Sequence, residues 1–215
     1  MVALVRIPFP EIALRAFSRQ LGSPSGPLGG VVARILNKGN RTATESAVKA
    51  LDLKGDEVVA DMGFGGGVGL QLLLAASPHG NVLGIEPSGD MLSRARRTFG
   101  EAVAAGRLVL HEATMSSLPV ADGELDGWIS LNTIYFIPEL EPAFAELSRV
   151  LAPDGRGVLG IADPDWMASQ PFVKQNFLLR SVDDVIGQLQ EAGFAVERIE
   201  LDRDGSLYNL LVCTH

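Results

Sequence analysis

A glycine-rich segment after a short apolar run is the part of this sequence with the clearest chemical meaning. The run Val58-Val-Ala-Asp61 ends in a carboxylate, and glycines follow at positions 63, 65, 66, 67 and 69. Glycine adopts positive φ without strain and lets a ligand approach the main chain closely. The next apolar run along the chain ends in Glu86, whose ionised carboxylate can accept hydrogen bonds from both hydroxyls of a ribose. Together the two features predict a ligand that contains a nucleoside.

The glycine pattern alone does not decide which nucleoside compound is bound. Nicotinamide-dependent oxidoreductases use a related G-x-G-x-x-G loop. Asp61, two positions before the first glycine, would repel a pyrophosphate but attract an ammonium group. No lysine follows the glycines, which excludes a nucleoside triphosphate loop of the G-x-x-x-x-G-K-[ST] type. An oxidoreductase therefore remains the less favoured alternative.

The elements that would position these residues alternate regularly after residue 55. Strands are predicted at 57–61, 82–86, 108–111, 125–131 and 157–162, with helices at 68–76, 88–104 and 139–151 between them. Such alternation is typical of right-handed βαβ units around a parallel sheet. A helix at 182–191 and two strands at 194–201 and 206–213 then predict a terminal antiparallel hairpin. Helices are also predicted at 11–20, 28–36 and 42–51.

The predicted fold class is therefore α/β: a doubly wound, mostly parallel, seven-stranded sheet with a C-terminal antiparallel hairpin and N-terminal helices. The length of 215 residues suits a single domain, with residues 1–54 as a helical cap and residues 55–215 as the ligand-binding core.

Four segments within residues 55–162 resemble one family. They are Asp61-Met-Gly-Phe-Gly-Gly-Gly67, Val82-Leu-Gly-Ile-Glu-Pro-Ser88, Leu118-Pro-Val-Ala-Asp-Gly-Glu-Leu-Asp126 and Leu147-Ser-Arg-Val-Leu-Ala-Pro-Asp-Gly155. In order and character they resemble the motifs of the class I S-adenosylmethionine (SAM) dependent methyltransferases, particularly the small ubiquinone-biosynthesis-like branch. The resemblance implies a Rossmann-like core, SAM as cofactor, and methyl transfer to an oxygen, nitrogen or carbon atom of a small molecule.

The resemblance also implies which residues bind the cofactor. The methionine part of SAM would lie against Asp61 and the loop glycines, the ribose against Glu86, and the adenine beside Pro87. The family's adenine-binding aspartate falls on Thr114, which departs from the pattern, and Met115 follows it. The complete set of expected cofactor-binding residues is Asp61, Gly63, Gly65, Gly67, Glu86, Pro87, Thr114, Met115 and Asn132.

By the same resemblance, the methyl acceptor would lie beyond the fourth strand, in the segment Asn132-Thr-Ile-Tyr-Phe136. Asn132 and Tyr135 would be presented toward the methyl group of SAM, although core packing is an equally good interpretation of Tyr135. Asp163, after the fifth strand, is a candidate base, but a role in capping the turn before Pro164 is favoured over catalysis. If no base acts here, a SAM-binding protein without methyl transfer is the alternative.

The amino-acid composition limits the classes of molecule that this chain is expected to bind. The net charge of −8 works against nucleic acid, because phosphate binding depends on clustered Lys and Arg. One cysteine and three scattered histidines offer no metal site, and no apolar stretch is long enough to span a membrane. We therefore expect a cytoplasmic monomer or homodimer that acts on a small-molecule substrate without a metal.

Overall fold

The computed structural model describes residues 41–170, 173, 177–203 and 206–215. The helices predicted at 11–20 and 28–36 lie outside the described residues. The third N-terminal helix is present as α1, over residues 41–50, close to the predicted range.

The remaining elements follow the predicted alternation of strands and helices. The strands are β1 (Val58–Met62), β2 (Asn81–Ile85), β3 (Leu108–His111), β4 (Leu125–Leu131), β5 (Leu151–Ala162), β6 (Ala195–Arg203) and β7 (Ser206–Thr214). The helices are α2 (Val68–Ala76), α3 (Gly89–Thr98), α4 (Gly100–Ala104), α5 (Leu140–Val150), α6 (Pro164–Ala168) and α7 (Val182–Glu191), with a 3-10 turn at Ile134–Phe136.

The seven strands form one sheet in the order β3-β2-β1-β4-β5-β7-β6. Strands β1 to β5 pair in parallel, whereas β7 pairs antiparallel with both β5 and β6. The predicted fold class, including the C-terminal antiparallel hairpin, is confirmed.

Apolar spacing explains why the elements form where they do. In β1 the sequence Val-Val-Ala-Asp-Met is buried over its last four residues, as expected for a central strand covered on both faces. In α5 the buried residues recur at helical spacing: Leu140, Ala143, Phe144, Leu147 and Val150. The periods of two and 3.6 residues thus allocate each side chain to the core or to solvent.

Serine side chains fix the start of two helices. The Ser88 hydroxyl accepts from the backbone N–H of Met91 at the start of α3, and the Ser181 hydroxyl accepts from Asp184 at the start of α7. Acidic residues in the first turn of both helices favour the same end, where the helix dipole is positive.

Two elements differ from the prediction by more than two residues, whereas the other described boundaries match it or shift by one or two. The single helix expected at 88–104 is divided at Phe99, whose φ of −111° and ψ of 28° interrupt the helix before Gly100. Strand β5 begins at Leu151 instead of residue 157, because Leu151 pairs with Leu125 and a bulge follows before Gly127 pairs with Arg156. The turn-like residues Pro153-Asp-Gly155 therefore lie within an extended, irregular strand.

The topology creates one crevice that is suited to a ligand. From β1 the chain moves outward through β2 and β3, and then returns to the other side of β1 to form β4 and β5. Ligands of open α/β sheets bind beyond the carboxyl ends of the strands at such a switch point. A ligand is therefore expected in the crevice between the ends of β1 and β4.

Candidate cofactor and acceptor site

The glycine loop leaves β1 in a conformation that side chains rarely adopt. Gly63, Gly65 and Gly67 have φ values of 77°, 46° and 83°. The N–H of Gly63 donates to the Ile85 carbonyl at 2.8 Å, and the N–H of Gly67 donates to the Phe64 carbonyl at 2.8 Å. The loop is thus a closed turn between the end of β1 and the first residue of α2. The φ values explain why glycine is needed at these three positions.

Asp61 lies beneath this loop and is 5% exposed. Burial raises the pKa of its carboxyl to about 8, and the negative charge of Glu86 acts in the same direction, whereas the backbone N–H of Leu70 opposes both. A Cβ added at Gly69 would collide with the Asp61 carboxylate, so this helix residue must be glycine to leave room for the acid. A buried carboxyl with a raised pKa is suited to bind a cationic group, because a cation would offset the cost of ionising it.

Glu86 follows the end of β2 and is also 5% exposed. Its two carboxylate oxygens accept separate backbone hydrogen bonds, from the N–H of Gly65 at 3.0 Å and from that of Ser88 at 3.1 Å. Burial raises the pKa of Glu86, and these two hydrogen bonds oppose the change. A carboxylate has about four acceptor positions, so this one can hold the glycine loop and still accept from two ribose hydroxyls.

The residues expected near adenine lie at the same edge of the sheet, after β2 and β3. Pro87 and Thr114 are exposed, while Met115 is buried. Thr114 lies in a tight turn, with its carbonyl accepting from the N–H of Ser117 at 3.1 Å. This turn brings an exposed hydroxyl, instead of a carboxylate, to the position where the resemblance implies an acid.

Asn132 marks the end of β4 with an unusual backbone conformation. Its φ is 59°, which is rare for a residue other than glycine, and its N–H donates to the Gly160 carbonyl of β5 at 2.9 Å. Left-handed residues of this kind cluster at functional sites, because the surrounding structure must hold them in place. The half-buried Asn132 therefore lies across the crevice opening, on the β4 side.

Tyr135 is anchored within the fold. It is 4% exposed, and its phenolic oxygen accepts from the N–H of Ala162, the last residue of β5, at 2.8 Å. Its ring packs against Phe136 and Phe177, with centroid distances of 6.5 and 5.7 Å. The packing interpretation of Tyr135 thus describes what its ring and hydroxyl do in this structure.

Asp163 caps a helix, which is the role that the sequence favoured. Its carboxylate accepts from the N–H of Trp166 at 2.8 Å at the start of α6, and its own N–H donates to the Leu207 carbonyl at 3.0 Å. The catalytic roles of Asn132, Tyr135 and Asp163 all remain predictions.

Arg180 holds the wall beside Tyr135 in place. Its guanidinium donates to the carbonyls of Ile134, Ile137 and Pro138 at 2.9, 2.7 and 2.9 Å. Burial lowers the pKa of Arg180 from its ordinary value. These bonds tie the segment after β4 to the chain that leads into α7. No sequence pattern predicts them, because the partners are backbone atoms.

The parallel strands bring the expected site residues to one edge of the sheet. Asp61 and Gly63 lie at the end of β1, Glu86 after β2, Asn132 after β4 and Asp163 after β5. Within the described ranges, no three His, Cys, Asp or Glu side chains gather as a metal site, and no helix is long and apolar enough to cross a membrane. Two buried acids thus lie beside the glycine loop at this edge, and Asn132 follows the neighbouring strand β4.

Part of the sequence is similar to known methyltransferases. Residues 60–159 match the family described as a methyltransferase domain. The arsenite methyltransferase of Halobacterium salinarum is 31% identical over 66% of this chain and 38% of its own length. The ubiquinone/menaquinone biosynthesis C-methyltransferase of Syntrophotalea carbinolica is 32% identical over 65% of this chain and 58% of its own length.

The fold has close counterparts among solved structures. A SAM-dependent methyltransferase from Aquifex aeolicus superposes with a TM-score of 0.70 at 19% identity, covering 85% of this chain and 97% of that one. The match to the methyltransferase domain family and the shared fold support the resemblance to class I SAM-dependent methyltransferases that the motifs indicated. It spans only about 33% to 59% of the length of the first curated relatives that it matches.

Proposed function

We propose that this chain transfers the methyl group of SAM to a small-molecule acceptor. The observation that carries the proposal is the pair of buried acids, Asp61 and Glu86, on either side of the glycine loop at the switch point. In this proposal Asp61 receives the ammonium group of the methionine part, and Glu86 receives the ribose. A pyrophosphate in the same loop would face two carboxylates, which disfavours a dinucleotide.

The remaining cofactor contacts follow from the order of the strands. Loop glycines at 63, 65 and 67 let the methionine part approach the backbone. Pro87, Thr114 and Met115 surround the adenine, and Asn132 faces the methyl group from the β4 side.

Methyl transfer from SAM mainly requires that the acceptor be held in the correct orientation. A sulfonium already activates the methyl group and leaves as a neutral thioether, so an in-line nucleophile suffices for displacement. Holding the reactants in line can contribute roughly 7–11 kcal/mol to lowering the barrier. A base is needed only for a nucleophile that enters protonated, and Asp163 is the candidate for that case.

The acceptor is proposed to be a small molecule, and its identity and the methylated atom are left open. Relatives whose names refer to arsenite and to quinone biosynthesis support this class. The net charge of −8 is unfavourable for binding nucleic acid. We further propose a cytoplasmic monomer or homodimer built as one domain.

One observation favours a second candidate, a protein that binds SAM without transferring its methyl group. On the acceptor side, the Tyr135 hydroxyl and the Asp163 carboxylate both accept hydrogen bonds from backbone N–H groups of the fold. Incubation with methyl-labelled SAM and a panel of phenols, quinols, amines and thiols separates the two candidates. Labelled product supports the transferase, and tight SAM binding with no turnover of any acceptor supports the alternative.

Calorimetric titration with SAM, S-adenosylhomocysteine and NADH tests the cofactor site itself. We expect both adenosyl compounds to bind and NADH not to bind. Glu86→Ala should weaken adenosyl binding by about 1.5 kcal/mol or more, the scale of hydrogen bonds to a charged group.

Glu57 provides a matched control. Its carboxylate also accepts from two backbone N–H groups, those of Lys54 and Gly55, but at the opposite end of β1. Glu57→Ala should leave adenosyl affinity unchanged. Binding of NADH in place of SAM would refute the assignment at its base, and equal losses in the two variants would show that Glu86 acts only through stability.

A further inference from the structure

Two hydroxyl side chains connect the ends of β1 and β4 at the floor of the crevice. Ser130, in β4, is fully buried, and its Oγ lies 3.0 Å from the Met62 carbonyl oxygen at the end of β1. The same Oγ lies 2.5 Å from Oγ1 of Thr133, which follows Asn132 in the chain.

The direction of this hydrogen-bond chain follows from counting protons. A hydroxyl carries one proton, and the carbonyl of Met62 can only accept, so the Ser130 proton is directed to Met62. Thr133 must therefore donate its own proton to Ser130. The chain runs from Thr133 through Ser130 to the backbone of β1.

The Thr133 side chain takes part in these hydrogen bonds and does not cap the turn that follows it. It occupies the N-cap position of the 3-10 turn Ile134–Phe136, yet its side chain makes no capping hydrogen bond. Threonine is a favoured N-cap because its hydroxyl can accept from the following turn. Here the hydroxyl instead bonds to Ser130, three residues earlier, and through Ser130 it is linked to the Met62 carbonyl of β1.

The Thr133–Ser130–Met62 hydrogen bonds lie where the regular pairing of β1 with β4 stops. Asp61 and Ile129 are the last paired residues of β1 and β4, whereas β1 remains paired with β2 up to Met62. Beyond this point the strands diverge to form the crevice, and the serine hydroxyl satisfies the Met62 carbonyl. The hydroxyl pair thus replaces a ladder hydrogen bond at the place where the sheet opens.

Thr133 also touches the glycine loop directly. A Cβ added at Gly63 would collide with the methyl carbon of Thr133. The same residue is the immediate neighbour of Asn132, whose backbone is strained. Thr133 therefore contacts the glycine loop on the proposed cofactor side of the crevice. It is also adjacent in sequence to Asn132, on the proposed acceptor side.

We propose that Ser130 and Thr133 are positioning residues that hold the Gly63 loop in its cofactor-binding conformation through their hydroxyl chain. The inference depends on the adenosyl cofactor and not on the identity of the acceptor. It assigns to two neutral hydroxyls a role that no charge or motif in the sequence indicates.

Calorimetric titration with S-adenosylhomocysteine tests the proposal on the whole chain. Thr133→Val keeps the shape of the side chain and removes its hydroxyl, and we expect about tenfold weaker binding, as for loss of one well-formed hydrogen bond. Thr133→Ser keeps the hydroxyl and removes the methyl group, and should stay within about twofold of the original affinity. Ser130→Ala should resemble Thr133→Val.

Two comparisons separate positioning from general stability. Ser77 is a fully buried serine whose hydroxyl donates to the Glu57 carbonyl at 3.0 Å, before β1 begins, so Ser77→Ala removes a comparable bond remote from the loop. It should leave the affinity within about twofold. The double variant Ser130→Ala/Thr133→Val should bind about as well as either single variant, because residues that act as one unit are not additive.

The outcomes are distinct. Thr133→Val binding as tightly as the original chain, or Ser77→Ala weakening binding as much as Thr133→Val, would overturn the positioning role. Thr133→Ser losing as much affinity as Thr133→Val would also overturn it, because the methyl contact and not the hydroxyl would then matter. If the original chain binds no adenosyl compound at all, the proposed function fails instead.

Discussion

The buried acid beneath the glycine loop makes stability depend on pH in a way that a single substitution can isolate. Burial and the nearby Glu86 raise the pKa of Asp61 from 3.8 to about 8. The folded chain therefore holds this proton more tightly than the unfolded chain does. The contribution of Asp61 to the free energy of unfolding is most favourable below about pH 4, falls as the pH rises toward 8, and is constant above that.

Asp61→Asn removes the ionisation and keeps the shape of the side chain. Each pKa unit corresponds to about 1.4 kcal/mol, so the gap between 3.8 and about 8 corresponds to at most about 6 kcal/mol. Between pH 5 and pH 8, the free energy of unfolding of the variant should rise relative to the original chain by up to about 4 kcal/mol. Contributions from the other titratable groups largely cancel, because the two proteins share them.

Urea denaturation of both proteins at pH 5, 6.5, 8 and 9.5, without ligand, measures this difference. A difference that grows from pH 5 to pH 8 and then levels off is the expected result. A difference that is constant, or that shrinks as the pH rises, would show that Asp61 ionises easily in the folded state. The description of Asp61 as a buried acid that needs a cation would then be wrong.

Ligand binding supplies a second readout of the same group. S-adenosylhomocysteine carries an ammonium group, and placing it beside Asp61 should lower the pKa of the carboxyl and release a proton on binding below about pH 8. Calorimetry in two buffers of different ionisation enthalpy reports that proton. Asp61→Asn should bind more weakly and release none, and equal proton release by both proteins would place the titrating group elsewhere.

Two further predictions concern neighbouring residues. Thr114→Asp restores a carboxylate at the proposed adenine contact and should tighten binding of S-adenosylhomocysteine about fivefold in the same titration; an unchanged affinity would mean that the adenine does not meet Thr114. Gly69→Ala forces a Cβ against the Asp61 carboxylate and should lower the free energy of unfolding by about 1–3 kcal/mol in urea. Gly89→Ala is its control, because a Cβ there meets nothing within 4 Å, and equal destabilisation by both substitutions would contradict the steric argument.

The sequence by itself determined the fold class and the positions at which the glycine loop needs positive φ. Apolar runs of strand length alternate with helical spacing, and these periods report which side of each element is buried. The glycines at 63, 65 and 67 indicate positive φ at these positions, because other residues would be strained in that conformation. Asp61 and Glu86 then stand at strand ends, and parallel pairing must bring such ends to one edge of the sheet.

The ends of strands and helices were harder to predict from the sequence, because strand ends depend on pairing with neighbouring strands. Leu151 continues into β5 only because Leu125 of β4 lies beside it, and no local signal reports that neighbour. Phe99 ends α3 one residue before Gly100, within a segment whose spacing alone predicts a continuous helix. At β5, therefore, the local turn pattern gave way to a tertiary contact.

Only the tertiary structure decided what the polar groups of the crevice do. Asp163 and Tyr135 each had a chemical and a structural interpretation. The hydrogen bonds from the N–H groups of Trp166 and Ala162 give each side chain a structural role, and their chemical roles stay predictions. The hydroxyl chain from Thr133 to the backbone of β1 joins groups 68 and 3 residues apart in sequence. Sequence spacing encodes burial and backbone freedom, whereas the partner of a buried hydroxyl is set by strand register and by the point at which two strands diverge.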